Sequence, residues 1–140
     1  MHFCILYIMK GVNIEDTGIG EIEQDFGERF CYSCGESKPK YESFCDWFQV
    51  GGRWNDIIKA RKGIKGDPSF MSGEESEEGY YTIVDVNDIE EEINHKMIYG
   101  VATKSRIYTE YDQPEKVMEW LEKIANHKFK GCVAIIDCHD

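Results

Sequence analysis

Apolar residues concentrate in two short, nearly uninterrupted runs, one close to each end of the chain. Residues 3–9 read FCILYIM, and residues 132–138 read CVAIIDC. Short apolar runs with this content of β-branched and aromatic residues are typical of strands that are covered on both faces. The two runs are therefore predicted to be neighbouring strands in the middle of one sheet.

Shorter β-prone segments extend this predicted sheet. Residues 80–86 (YYTIVDV) combine aromatic and β-branched residues, which predicts a strand. Residues 97–103 and 106–111 are β-prone as well, and only Lys104 and Ser105 separate them. This spacing predicts a hairpin.

Helical periodicity is clearest between residues 114 and 127. Asp112 and Pro114 are typical of a helix start, and Gly131 lies just beyond the end. The apolar residues that would share one face of this helix are Val117, Trp120, Leu121, Ile124 and Ala125.

Three further segments have weaker helical spacing. They are residues 19–30, residues 54–61 and residues 87–93, and in the last of these Asn87 and Glu90 offer a capping pair.

Together these elements predict an α+β fold, with a single, mainly antiparallel sheet and helices packed on it. The arrangement is expected to be ferredoxin-like or related, in one domain that spans residues 1–140. Residues 63–79 (GIKGDPSFMSGEESEEG) combine four glycines, a proline and a run of acids, which predicts a flexible loop or lid.

Composition and charge narrow the class of protein. A hydrophobic share of 41% and an aromatic share of 13% are too high for a disordered chain. A net charge of -11 argues against direct binding of nucleic acid, because contact with phosphates needs a basic face, and leaves a basic protein open as a partner. A homo-oligomer is also possible, and no cofactor is expected.

The cellular compartment of the protein is predicted from its apolar stretches, its first residues and its cysteines. No apolar stretch approaches the roughly 18 residues of a membrane helix, so no membrane association is expected. The first residues lack a basic leader and a cleavage site, and the six cysteines are expected to be reduced thiols. These features predict a cytoplasmic protein.

Residues 46–54, which read DWFQVGGRW, contain the densest group of side chains that could bind a ligand or partner. The glycine pair permits a positive φ, the arginine offers a planar cation with five donors, and the tryptophans offer stacking surfaces. One interpretation is a ligand- or partner-binding site; the other is a turn with core tryptophans and an Arg53–Asp46 bond. The candidate binding residues here are Asp46, Trp47, Gly51, Gly52, Arg53 and Trp54.

The last predicted strand ends in a second polar group. Asp137 and His139 lie two residues apart, so on a strand they share one face, and both are candidate site residues. Cys138 points to the opposite face, so it cannot use His139 as the base that a nucleophilic thiol requires.

Cysteine spacing suggests a metal site that lacks a ligand. Cys31, Cys34 and Cys45 form a C-x2-C-x10-C pattern, whereas a structural zinc ion needs four ligands. A fourth ligand (Cys4, Cys138, His139 or His2) would have to come from a distant part of the chain. The sequence therefore predicts no stoichiometric zinc, with these three cysteines as weak candidates.

The segment DWFQVGGRW resembles a D-W-[WY]-x-[IV]-G-G-R-W block in a family of small phage and bacterial proteins without an established activity. Residues 3–9, 98–103 and 134–139 are similar to the opening strand, the hairpin and the terminal V-V-D-C-H strand of that family. Residues 10–40 and 63–79 do not match. The resemblance implies a phage or mobile-element origin, and one shared site for the G-G-R-W block and the terminal D-C-H.

Three functions remain open at this point. The first is a small inhibitor of host defence, which binds a host protein or a nucleotide-like signal through its Arg–aromatic segment. The second is a hydrolase or nucleotide-processing enzyme that uses Arg53, Asp137 and His139, although the common catalytic motifs are absent from the sequence. The third is an acidic nucleic-acid mimic, based on the glutamate runs at 74–78 and 90–92.

Overall fold

The computed structural model describes residues 1–31, 44–54, 56–66 and 77–140. In this part of the chain the strands are β1 (His2–Lys10), β2 (Trp47–Val50), β3 (Ile83–Asp85), β4 (Gly100–Ala102), β5 (Ile107–Thr109) and β6 (Gly131–His139). The α-helices are α1 (Ile19–Phe30) and α2 (Pro114–Ala125). Short 3-10 helices lie at Ile14–Asp16, Val86–Asp88 and His95–Met97.

The described strands form one mixed sheet in the order β2-β6-β1-β4-β5, with β3 also paired to β6. The two terminal strands are antiparallel neighbours along their full length, from His2 opposite His139 to Lys10 opposite Gly131. Every strand pair is antiparallel except β1 with β4. The predicted α+β fold and the central position of the terminal strands are confirmed.

The topology is related to a ferredoxin-like fold but differs from it in two ways. A split β-α-β unit places another strand between its two parallel strands, whereas β4 lies directly beside β1 here. The two helices also cover opposite faces of the sheet, because alternate residues of β1 belong to different apolar cores.

Each face of the sheet carries its own core. On one face Leu6 and Ile8 of β1 pack with Val117, Leu121 and Ile124 of α2. On the other face the buried residues of β1 and α1 pack together, namely Ile5, Tyr7, Ile22, Phe26 and Phe30. Each α-helix has 12 residues and is amphipathic, and in the described residues no helix is long and apolar enough to cross a membrane.

One edge of β6 is shared by two strands that follow each other along it. β2 pairs with residues 136–139 and β3 pairs with residues 132–134. Ile135 lies between these two stretches of β6 and bonds to both neighbouring segments. Its carbonyl accepts from the Gly51 N–H at 2.8 Å, and its N–H donates to the Thr82 carbonyl at 2.9 Å. The chain leaves this edge at Gly51 and Gly52, whose φ values are 89° and 58°. Here the glycine pair is required by backbone geometry.

The helix predicted for residues 54–61 is absent. Ile58 and Ala60 are buried in an extended segment that forms isolated bridges from Lys59 to Tyr80 and from Ala60 to Ile89. Backbone hydrogen bonds to residues 79–90 replace helical ones. Tertiary contacts therefore override a weak helical pattern.

Other elements are shorter than predicted or begin differently. The strand predicted at 80–86 is limited to Ile83–Asp85, and the helix predicted at 87–93 is a 3-10 turn that Asp85 caps. The hairpin is confirmed, with its turn at Lys104–Ser105, but its strands are three residues each. The last helix ends at Ala125, and Gln113 precedes it without a side-chain capping bond.

The first residues of the predicted 63–79 loop contact the body of the protein. Ile64 forms a bridge with Ile83, and the Gly66 N–H donates to the Thr82 hydroxyl at 3.0 Å. Residues 67–76 lie outside the described residues, as does Cys34.

Candidate functional site

Two rows of side chains cross the sheet at the end where β6 finishes, on the face that α2 covers further along. The outer row contains Trp47, His139 and His2, which are paired in register across β2, β6 and β1. The next row contains Gln49, Asp137 and Cys4. Beyond this row the same face becomes fully apolar, starting with Leu6 and Ile135. We call the group His2, Asp46, Trp47, Arg53, Asp137 and His139 the polar end of the sheet.

Asp137 is the centre of the polar end. Its side chain is only 2% exposed, and a buried carboxylate needs partners that compensate for lost hydration. His2 Nδ1 lies 2.8 Å from Oδ1, and the Arg53 backbone N–H donates to Oδ2 at 3.1 Å. An ionised carboxylate only accepts hydrogen bonds, so a hydrogen bond from His2 to ionised Asp137 requires a proton on Nδ1 of the imidazole.

The G-G-R-W turn is built against this carboxylate. A Cβ placed on Gly52 would lie 2.4 Å from Asp137 Oδ2, so only glycine allows the backbone to approach this closely. The guanidinium Nε of Arg53 lies 4.0 Å from the same oxygen, and the side chain is 39% exposed. Arg53 thus anchors the turn through its backbone and presents its side chain at the surface.

A second imidazole–carboxylate pair lies beside the first. His139 Nδ1 is 3.1 Å from Asp46 Oδ1, and both side chains are substantially exposed. The His139 ring is 5.1 Å from the His2 ring and 6.3 Å from the Trp47 ring, centroid to centroid. The turn and the end of β6 therefore meet in one site, through Asp137 and the two histidines.

Two expectations for the tryptophans and Arg53 are corrected by this geometry. Trp47 is 40% exposed rather than packed in the core, because it lies at the first position of an edge strand. Arg53 approaches Asp137, and Asp46 pairs with His139 instead. Trp54 does pack against the α2-side core, and its buried Nε1 has no hydrogen-bond partner in the part of the chain that is described.

Cys4 is the thiol nearest in register to Asp137, and it is not suited to be a nucleophile. It is buried, and this burial raises its pKa far above the usual value, with the nearby charges of Asp137 and Asp56 raising it further. A nucleophilic thiol requires the opposite shift. The chemical groups that the polar end presents are therefore imidazoles, carboxylates, a guanidinium and an indole face.

The structure brings most of the predicted site residues together. Gly51 is at the exit from the edge strand, where a Cβ would contact Thr82. His2 is the residue that the sequence prediction did not include in the site. Its position could have been found, because pairing the two terminal strands end to end places residue 2 beside residue 139.

Comparisons of the chain with protein-family models, with curated proteins and with solved structures return no match.

Proposed function

We propose that this chain is a binding protein that holds a nucleotide-like small molecule at the polar end of the sheet. The observation that carries this proposal is the exposed indole of Trp47 beside the imidazoles of His2 and His139, together with the Arg53 guanidinium, whose Nε lies 4.0 Å from Asp137 Oδ2 in the next row. A nucleotide combines an aromatic base, hydroxyl groups and phosphate. Trp47 offers a stacking surface, Arg53 offers a donor fork for phosphate, and the imidazoles and carboxylates offer acceptors for hydroxyl and amino groups.

The resemblance to phage and bacterial proteins supports a role in the conflict between phage and host. In this role the protein is an inhibitor of host defence that acts in the cytoplasm. The ligand is then a nucleotide signal that the protein sequesters, and a host defence protein is the alternative partner for the same surface. Sequestration needs no catalytic group, which agrees with the absence of a common catalytic motif from the sequence.

The test is calorimetric titration with a panel of mononucleotides, linear dinucleotides and cyclic nucleotides. We expect one class to bind, and Arg53→Ala to weaken its binding about 30-fold, because truncating an anchoring arginine costs about 2 kcal/mol. The fold should tolerate this change. The Arg53 backbone bond to Asp137 is retained, and a half-exposed ion pair contributes at most about 1 kcal/mol.

Arg106→Ala is the matched control. Arg106 is an exposed arginine over the Tyr108 ring, at the opposite edge of the sheet, so its loss should leave binding unchanged. The proposal fails if no nucleotide in the panel binds, or if Arg53→Ala binds as tightly as the original protein. A large fall in melting temperature for Arg53→Ala, without a specific binding defect, would assign the motif to folding alone.

A second candidate function is hydrolysis, and a specific contact favours it. A histidine held by a buried carboxylate at 2.8 Å is the arrangement of a general base. An enzyme of this kind would use Asp137, His139 and Arg53, with His2 as the oriented base. Turnover of a nucleotide from the panel by the purified protein, abolished in His139→Ala and in His2→Ala, would replace the binding proposal with this one.

A further inference from the structure

Strand β5 is the last strand at one end of the sheet, and no segment that the structure describes pairs with its outer edge. Its inner edge is bonded to β4, and the two strands are antiparallel. An edge strand exposes a row of backbone donors and acceptors that can pair with another strand. The backbone of this edge is therefore available for pairing with a further strand.

The register of the hairpin determines which backbone groups lie on the outer edge. The Arg106 carbonyl and the Glu110 N–H bond to the residues that flank β4, at 2.8 Å and 2.7 Å. Bonded positions alternate with outward-facing positions along an antiparallel pair, so Ile107 and Thr109 direct their backbone groups outward. The Thr109 carbonyl already accepts from the Gln113 N–H at 2.8 Å. The Thr109 N–H and both backbone groups of Ile107 have no such partner among the described residues.

The side chains along this edge form a self-complementary pattern. Residues 106–110 read RIYTE, with a basic residue at one end and an acidic residue at the other. Because alternate residues of a strand share a face, Arg106, Tyr108 and Glu110 lie on the same face of the sheet. Arg106 and Glu110 are exposed, and within the described residues neither forms an ion pair. The Arg106 guanidinium lies over the Tyr108 ring instead, 5.7 Å from its centroid.

An antiparallel copy of the same strand fits this pattern when the two-fold axis passes beside Tyr108. Arg106 of each copy then lies opposite Glu110 of the other, because a two-fold interface uses the same surface on both chains. Ile107 lies opposite Thr109 of the other copy, so the outward backbone groups face one another. Opposite charges and aromatic rings that lie directly opposite stabilise antiparallel strands.

Two further observations favour pairing at this end of the sheet. Tyr111, directly after the RIYTE segment, is 88% exposed, more than any other large apolar side chain among the described residues. Tyrosine is enriched in protein interfaces relative to other surfaces. At the opposite end of the sheet, β2 has no charged residue in positions 47–50, so a second copy of β2 would form no ion pair with it.

We propose that β5 pairs with β5 of a second copy of this chain, in an antiparallel arrangement centred on Tyr108 that joins the two sheets into one. Each copy contributes only a short strand, so the interface is small and the dimer is weak and reversible. The net charge of -11 on each copy opposes association at low salt, where charges are less screened. The dimer does not depend on the ligand of the polar end, which lies on β1, β2 and β6.

Sedimentation equilibrium of the full chain tests the proposal, at about 0.15 M salt and between about 1 and 200 μM protein. We expect a reversible equilibrium between monomer and dimer. Arg106→Glu and Glu110→Arg each place like charges opposite one another at both ends of the paired strands, and each should weaken the dimer at least about tenfold. Glu110→Arg also lowers the net negative charge, so its effect cannot come from overall repulsion.

Lys62→Glu is the matched control for charge. It changes the net charge by the same amount as Arg106→Glu, at an exposed residue close to β3 rather than β5. This variant should dimerise like the original protein.

A mixture of the two charge variants separates a direct contact from a general disruption. Combining Arg106→Glu with Glu110→Arg restores opposite charges at both ends of the paired strands, so we expect a heterodimer with the affinity of the original dimer. Hydrogen exchange resolved by residue then locates the interface in the original protein. The amides of Ile107 and Thr109 should exchange more slowly in the concentrated dimer than in the dilute monomer.

Four results would overturn the proposal. The first is a chain that stays monomeric at the highest concentration. The second is a dimer that both charge variants form as tightly as the original protein. The third is a dimer in which the Ile107 and Thr109 amides exchange as fast as in the monomer, which would place the interface elsewhere. The fourth is slower exchange at these amides only after a different protein is added, which would assign the edge to that partner.

Discussion

At the scale of single residues, Asp137 determines how the polar end is built. Its buried carboxylate accepts from His2 on one oxygen and from the Arg53 backbone on the other. Both partners are distant in sequence, and removing either one would leave a buried oxygen without compensation for its lost hydration. The same carboxylate thus orients an imidazole and holds the G-G-R-W turn in place.

We expect Gly52→Ala to destabilise the protein by about 2–5 kcal/mol. A left-handed backbone costs an alanine about 1–2 kcal/mol, and forcing a methyl group into a packed site adds about 1–3 kcal/mol. The φ of Gly52 is 58°, and its Cβ would lie 2.4 Å from Asp137 Oδ2. Urea denaturation, followed by far-UV circular dichroism, measures the difference.

Gly11→Ala separates the two contributions. Gly11 also has a positive φ, 74°, but a Cβ there would meet nothing within 4 Å. This variant should lose only the backbone contribution, about 1–2 kcal/mol. Equal losses in the two variants would show that the contact between Gly52 and Asp137 does not constrain the turn.

At the scale of secondary-structure elements, β6 organises the molecule. It pairs with β1 along one edge and with β2 and β3 along the other. Because β2 leaves this edge where β3 joins it, the chain must turn out of the sheet at Gly51 and Gly52. The turn that follows β2 therefore folds back against β6, where the Arg53 backbone N–H reaches Asp137.

Helix α2 is held to the sheet by its apolar face, and this contact can be measured. Ile124 is 1% exposed, and we expect Ile124→Ala to cost about 2–5 kcal/mol through lost burial and a residual cavity. Met118, on the same helix, is 47% exposed, so Met118→Ala should change stability by less than about 0.5 kcal/mol.

Urea titrations of the two helix variants give the comparison. A similar midpoint for Ile124→Ala and Met118→Ala would mean that α2 contributes little to the cooperative core. A changed slope rather than a changed midpoint would point to an effect on the unfolded state.

At the scale of the whole molecule, the net negative charge limits the classes of molecule that the protein is expected to bind. The net charge is -11, and Glu90, Glu91 and Glu92 are all exposed. Glu91 pairs with Lys59 at 3.1 Å, as is usual for a solvated charged face. This patch alone does not favour a nucleic-acid mimic over an ordinary acidic surface, and residues 74–76 of the other acidic run lie outside the described residues.

We expect no complex with duplex DNA or RNA in a gel-shift assay at about 0.15 M salt, where surface charges interact over only about 8 Å. A protein of net charge -11 repels a polyanion, and it has no counterion release to offset that repulsion. A basic DNA-binding protein on the same gel serves as the positive control. A complex that survives this salt concentration would show a local basic or specific contact that the net charge conceals.

The sequence by itself determined the elements that depend on local pattern. The runs at 3–9 and 132–138 became β1 and β6, and the periodic apolar face at 114–125 became α2. A strand buried on both faces has a continuous apolar run, and a helix buried along one stripe has apolar residues every three to four positions. These elements and their α+β class can therefore be recognised from the sequence without a structure. The glycine pair at 51–52 was also correctly interpreted as a turn, because positive φ is a property of the residue.

Only the tertiary structure decided which distant residues meet. Trp47 is at the surface because β2 is an edge strand, and Arg53 contacts Asp137 across 84 residues of sequence rather than Asp46 nearby. Residues 54–61 have helical spacing of apolar residues, but the segment is extended because its backbone forms hydrogen bonds with residues 79–90. Such pairings depend on the order and alignment of strands, and the spacing of residues along the chain carries little information about either.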